Sequence, residues 1–263
     1  MKYSLHELLQ FGFKQGYASL FGVFLLLLIM VSNYWYPLAM PRYDFLFIAA
    51  LAFQMALLVF KLETLKEATV ILIFHLVATA MEIFKTSDAI GSWQYPEHFN
   101  IGFGNYPLFA GFMYSAVGSY IARIWRIFHI RFDYYPKISW TYLLATLIYL
   151  NFFTHHYMFD LRWLLIAVTA VLFWKSHFYY KVNKKVHKMP VMMGFFLVSL
   201  FIWIAENIAT YSRIWIYPSQ VHEWHMVSAS KLTAWFLLMI VSTILVSIVQ
   251  KPRLIEQKVN INA

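Results

Sequence analysis

Long apolar runs alternate with short polar stretches along nearly the whole chain. A helix that crosses a bilayer needs about 20 mostly apolar residues, because the hydrocarbon core is about 30 Å thick and each helical residue rises about 1.5 Å. Eight runs approach that length: Tyr17–Tyr36, Tyr43–Phe60, Ala68–Phe84, Pro107–Phe128, Ile138–Phe153, Trp163–Tyr180, Pro190–Tyr211 and Ser230–Val249. The second, third and fifth are short, so their helices are expected to extend into the flanking polar turns. The pattern predicts an all-α fold, a polytopic transmembrane helix bundle of eight spans. No linker or low-complexity stretch interrupts it, so residues 1–263 read as a single integral membrane domain.

Composition agrees with the pattern. Hydrophobic residues make up 61% of the chain and charged residues 13%, against roughly 25% charged in an ordinary soluble domain. The net charge of +9 does not point to nucleic acid, because the charges sit in short loops between apolar runs. With eight spans and the N-terminus inside, 16 of the 21 Lys and Arg residues fall on the inner side, as the positive-inside rule requires. The reading is a cell-membrane protein with both termini cytoplasmic. The chain has no Cys, which excludes thiolate metal sites and Cys nucleophiles. The inner loop from Lys181 to Lys188 reads as a plain solvated positive loop.

The outer face differs, because titratable and aromatic groups collect there. An internal echo organises them. Glu82 is followed by Trp93-Gln94-Tyr95-Pro96, and Glu206 by Trp215-Ile216-Tyr217-Pro218. Two similar units four spans apart keep the same orientation and imply two parallel four-helix halves, 1–128 and 129–263. Each Glu falls near the last outer turn of its helix, beside apolar residues, where an ionised carboxylate is costly. Glu82 and Glu206 are therefore candidate catalytic acids, with Trp93, Tyr95, Trp215 and Tyr217 in support. His155, His156, Asp160, His222 and His225 carry imidazole and carboxylate groups able to ligate zinc or iron, so a divalent metal is a further expectation. The stripe Gly111, Ser115, Gly118 and Ala122 reads as a helix-packing face, and the segment from Asn100 to Asn105 as an outer turn.

The runs Gly91-Ser92-Trp93-Gln94-Tyr95-Pro96-Glu97, Pro107-Leu108-Phe109-Ala110-Gly111-Phe112-Met113-Tyr114, Asn151-Phe152-Phe153-Thr154-His155-His156 and Trp203-Ile204-Ala205-Glu206-Asn207 resemble a bacterial membrane family, domain-of-unknown-function family 817. The resemblance covers nearly the whole chain and implies a multi-pass plasma-membrane protein without an assigned activity. A looser, local resemblance links Glu82, the loop with Trp93 and Tyr95, and the small-residue helix after it to membrane carotenoid hydratases and lycopene cyclases. That resemblance implies Glu82 as an acid toward polyene double bonds, with Trp93 and Tyr95 steadying a cation. The Pro-x-Glu-Glu run of the cyclases is absent here.

Three functions are compatible with the chain. The first is an enzyme acting on a lipid or isoprenoid from the extracytoplasmic side. The second is a small-solute or ion carrier built from parallel repeats, and the third a non-catalytic envelope protein. All three have membrane lipids as partners. An enzyme requires a pocket open sideways to lipid, whereas a carrier requires a polar route through the midplane.

Overall fold

A computed structural model describes residues 5–255. Among them are the helices α1 (Leu5–Ala18), α2 (Leu20–Tyr34), α3 (Arg42–Val59), α4 (Leu65–Lys85), α5 (Phe109–Ile127), α6 (Ile138–Thr154), α7 (Arg162–Phe173), α8 (Val191–Tyr211) and α9 (Lys231–Val249). Each of the eight apolar runs holds one of α2 to α9. By length and composition the described residues show fewer spans than the eight expected. Four helices, α3, α4, α8 and α9, are long and apolar enough to cross a membrane. A fifth span results if α1 and α2, bent by 70° at their junction, count as one. The remaining three fall short for distinct reasons. α5 carries Arg123 and Arg126. α6 has 17 residues and α7 only 12, and at about 1.5 Å per residue α7 covers well under the ~30 Å core.

The fold is also not purely helical. A short hairpin pairs β1 (Gly102–Phe103) with β2 (Tyr106–Pro107). A three-stranded antiparallel sheet orders β3 (Arg131–Asp133), β4 (His177–Lys181) and β5 (Val186–Pro190). The sixth apolar run breaks at Phe173 because the chain turns there to enter β4. The positive segment from Lys181 to Lys188 forms the turn and arm of the β4–β5 hairpin, with its four lysines exposed as expected. Its His187 is buried, stacked on Tyr180 and bonded to Glu7 at 3.1 Å.

Local chemistry explains the main helix pair. α4 starts at a capping box: the Thr64 hydroxyl accepts from the Glu67 backbone N–H, and the Glu67 carboxylate accepts from the Thr64 N–H, satisfying two orphan donors. Arg126 of α5 closes on the same buried Glu67 at 2.8 Å. Small residues on α5 let the two helices approach. Ser115 donates to the Ile71 carbonyl at 3.0 Å, and Gly118 lies against the Phe74 ring.

The bundle has two chemically distinct ends. At one end lies the three-stranded sheet, with Glu7 of α1 on His187 and Lys185 and Leu254 bridged to Phe132. Both ends of the described chain therefore meet there. At the other end, Arg42 pairs with Glu97 at 2.6 Å and donates to the Ser212 carbonyl. Asp44 accepts from the backbone of Asn100 and Ile101, and Tyr43 donates to the Ile214 carbonyl at 2.7 Å. These bonds tie the start of α3 to the two long loops, residues 86–108 and 212–230.

A tight α4–α5 contact predicts that Gly118→Leu is disruptive. A β-carbon built at Gly118 would lie 2.7 Å from Phe74, so the longer side chain forces the helices apart. The expected cost is about 1–3 kcal/mol, seen as a lowered melting temperature in detergent. An unchanged melting temperature contradicts the packing described.

Candidate functional site

Glu82 and Glu206 are the most deeply buried carboxylates at the loop end, 1% and 2% exposed. In apolar surroundings each oxygen needs a donor. Glu82 Oε1 accepts from the Tyr114 hydroxyl at 2.7 Å, and Oε2 from Tyr95 at 2.9 Å and the Trp93 indole at 3.0 Å. Glu206 Oε1 accepts from the Tyr217 hydroxyl at 2.5 Å, and Oε2 from the Trp235 indole at 2.6 Å. The donors come from matching places. Tyr95 and Tyr217 lie in the loop after each Glu, and Tyr114 and Trp235 near the start of the helix after each loop. Burial, reinforced by the neighbouring carboxylates, pushes the Tyr95 and Tyr217 phenols well above their ordinary range. Both therefore remain hydroxyl donors at any physiological pH.

The two Trp-x-Tyr-Pro segments meet each other. Gln94 and Ile216 exchange both backbone hydrogen bonds, at 3.0 and 2.9 Å, as an antiparallel bridge. Aromatic contacts continue the link. Trp93, on Glu82, packs edge-on to Tyr217, on Glu206, with centroids 6.3 Å apart. Tyr114, on Glu82, lies 6.5 Å from Trp235, on Glu206. The two carboxylates are thus joined through two pairs of rings.

Trp215 is not a donor to Glu206; it lines the cavity, hydrogen-bonds the Tyr217 side chain and packs with the α2–α3 core cluster. Its expected place is taken by Trp235, which sequence reasoning missed together with Tyr114. The available signal was an aromatic residue with a polar tip in the first two turns of the helix after each loop.

Both carboxylates open onto a cavity of about 820 Å³, within the range of ligand pockets. Along α8 its wall runs from Gly194 to Ala209, a length of about 20 Å at helical rise. The far end is lined by Phe11, Phe128, Phe178 and Tyr180 near the sheet. The carboxylate end carries every Asp, Glu, Lys, Arg and His of the described wall: Glu82, Lys85, His155, Arg162, Glu206 and Lys231. Gly12, Gly16 and Val23 of α1 and α2, with Leu197 and Phe201 of α8, line the cavity and are exposed. The cavity therefore opens sideways between the bent α1–α2 pair and α8, through an apolar rim.

The expected metal ligands do not converge. Among the described residues no three His, Asp or Glu side chains are arranged to hold a metal ion. His155 and His156 flank the Lys85 ammonium, which lies 2.7 Å from His156 Nε2 and 3.5 Å from His155 Nε2. Asp160 pairs with Arg162 at 3.1 Å and accepts from Asn151. His222 is exposed, and His225 bonds the Ser219 carbonyl at 3.0 Å. Desolvation, aided by the Lys85 charge, holds the His156 imidazole down at about 4, and desolvation also lowers His155. Both rings are neutral at neutral pH and can accept from Lys85.

Several helices long and apolar enough to cross a membrane, packed around two hydrogen-bonded carboxylates and a large cavity, are consistent with a multi-span membrane protein. A family model described as "Protein of unknown function (DUF817)" matches residues 7–243, and the chain belongs to this family. It is 38% identical over 245 residues to "Uncharacterized protein YoaT" of Bacillus subtilis (strain 168), covering 93% of this chain and 92% of that protein. No solved structure matches.

Two outcomes follow from this geometry. Tyr114→Phe and Trp235→Phe each remove a donor from a buried carboxylate and are expected to cost about 1–3 kcal/mol. Thermal unfolding in detergent measures the loss, and parent-like stability in both variants contradicts the carboxylate bonding. The depressed His156 value sets a pH dependence. Between about 6.5 and 4 the unfolded chain binds a proton that the folded chain does not, so stability falls as pH drops through that window. His156→Asn should flatten this part of the profile, and an unaltered profile assigns the dependence to other groups.

Proposed function

We propose that this protein is a membrane-embedded enzyme that binds a long-chain lipid or isoprenoid in the cavity and moves protons on it with Glu82 and Glu206. One observation carries the reading. The cavity is an apolar slot about 20 Å long, bordered by exposed apolar residues of α1, α2 and α8, and it ends on two buried carboxylates among aromatic rings. The carrier reading loses ground for the same reason, because the charged groups of the described wall all sit at one end rather than along a through-route.

The chemistry follows from the arrangement. A protonated carboxyl gives its proton to an olefinic carbon, forming a C–H bond and leaving a carbocation one carbon away. The rings of Trp93, Tyr114, Tyr217 and Trp235 line that region and stabilise the cation through their π faces. The second carboxylate then removes a proton from an adjacent carbon and restores a double bond. The net result is isomerisation, with no co-reactant consumed.

Membrane placement belongs to the same proposal. α2 to α9 alternate in direction between the sheet end and the carboxylate end, which supports eight crossings. Apolar flanking residues such as Tyr157, Phe159 and Trp174, all exposed, complete the short α6 and α7. The sheet end, with most of the Lys and Arg, is cytoplasmic, and the carboxylate end faces outward. The α4–loop–α5 and α8–loop–α9 units, crossed at Gln94 and Ile216, support two parallel halves.

The test compares lipid extracts of cells that lack the gene, carry the parent protein, or carry Glu82→Gln or Glu206→Gln. The expected outcome is a change in one long-chain species on deletion, restored by the parent and by neither variant. Identical lipid profiles in all four strains, with the proteins present in the membrane, end the enzymatic reading.

A further inference from the structure

The carboxylate end of the cavity holds more than the two acids. Lys85 is 4% exposed, and its ammonium lies on two imidazoles, those of His155 and His156, rather than on a carboxylate. Lys231 lies with its ammonium 4.3 Å above the Tyr217 ring and forms no ion pair among the described residues. Arg162 is tied to Asp160 at 3.1 Å and to Thr233 at 3.2 Å. All three cations line the cavity and are close enough to repel one another. Arg162 and Lys231 are also the first residues of α7 and α9, so two helix N-termini add positive potential at the same place.

Such a cluster is expensive to gather in a half-buried site without an anion. When one of Glu82 and Glu206 carries a proton, as acid chemistry requires, the three cations face the other carboxylate and Asp160, leaving an excess of one positive charge. A phosphate group matches that excess, its oxygens accepting from ammonium and guanidinium donors. We propose that Lys85, Arg162 and Lys231 form a headgroup basin for a lipid phosphate monoester. Its single long chain lies in the apolar slot toward Phe128 and Phe178. This deepens the function proposed above and rests on the same cavity. It places the first carbons of the chain beside Glu82 and Glu206, between the phosphate and the apolar end.

The shared chemistry is phosphate, and the experiment separates its sources. Hexadecyl phosphate, hexadecanol and inorganic phosphate are each titrated into the purified full-length protein in neutral detergent, with binding read by tryptophan fluorescence and by melting temperature. Hexadecyl phosphate is expected to bind at least about tenfold more tightly than hexadecanol. Lys231→Gln should remove that preference while leaving hexadecanol affinity unchanged. Lys85→Gln serves as the second variant, with melting temperature checking that each is folded. Equal affinity for phosphate and alcohol, or a preference that survives in both folded variants, overturns the headgroup basin and leaves the enzymatic reading standing. Inorganic phosphate binding as tightly as the lipid phosphate overturns the lipid occupant. Binding of neither long-chain compound overturns the basin and the cavity reading together.

Discussion

Two carboxylates buried in an apolar bundle set the terms for the rest of this structure. A carboxylate without donors in such a place costs several kcal/mol, so the chain must bring phenol and indole groups to Glu82 and Glu206 from outside their own helices. For Glu82 they come from the following loop and from α5. For Glu206 they come from the following loop and from α9. Meeting that demand fixes where each long loop folds and how each helix pair closes. The Gln94–Ile216 bridge is the point at which the two solutions lock together.

The same arrangement leaves space beside it. α5, α8 and α9 converge around the carboxylates, while the 70° bend between α1 and α2 carries α1 across the sheet end. The bend leaves a lateral gap facing α8. Gly12 and Gly16 border it with no atom near the position of an added β-carbon, so the gap is not closed by side chains there. The result is an elongated apolar space with charges confined to one end, the shape and polarity of a single-chain amphiphile.

The opposite end uses its charges differently. Glu67 is capped and clamped by Thr64 and Arg126. Glu63 accepts from Gln54 and Ser119, and Glu7 holds His187. These acids have polar or basic partners drawn from neighbouring elements, and none lines the large cavity. Glu67 and Glu63 fasten helices to one another and Glu7 fastens α1 to the sheet, whereas the carboxylates at the other end face open space and a set of aromatic rings.

The sequence by itself determined the positions of the apolar helices, since hydrophobic length and spacing are local properties of the chain. It also marked Glu82 and Glu206, because an acid inside an apolar run stands out without any knowledge of neighbours. The small-residue face of α5 was legible for the same reason. Tertiary structure decided what local patterns cannot encode. The run from Trp163 breaks into β4 because its partner strands lie about 45 residues earlier and a few residues later in the chain. Tyr114 and Trp235, rather than Trp215, complete the carboxylate bonding because helix packing, not spacing, brings their polar tips within reach. Lys85 stands between His155 and His156, where imidazoles alone had suggested a metal, because α4 and α6 end side by side. Hydrogen bonds and charge pairs between distant segments act over a few ångströms of space. Only the packed fold determines which residues share it.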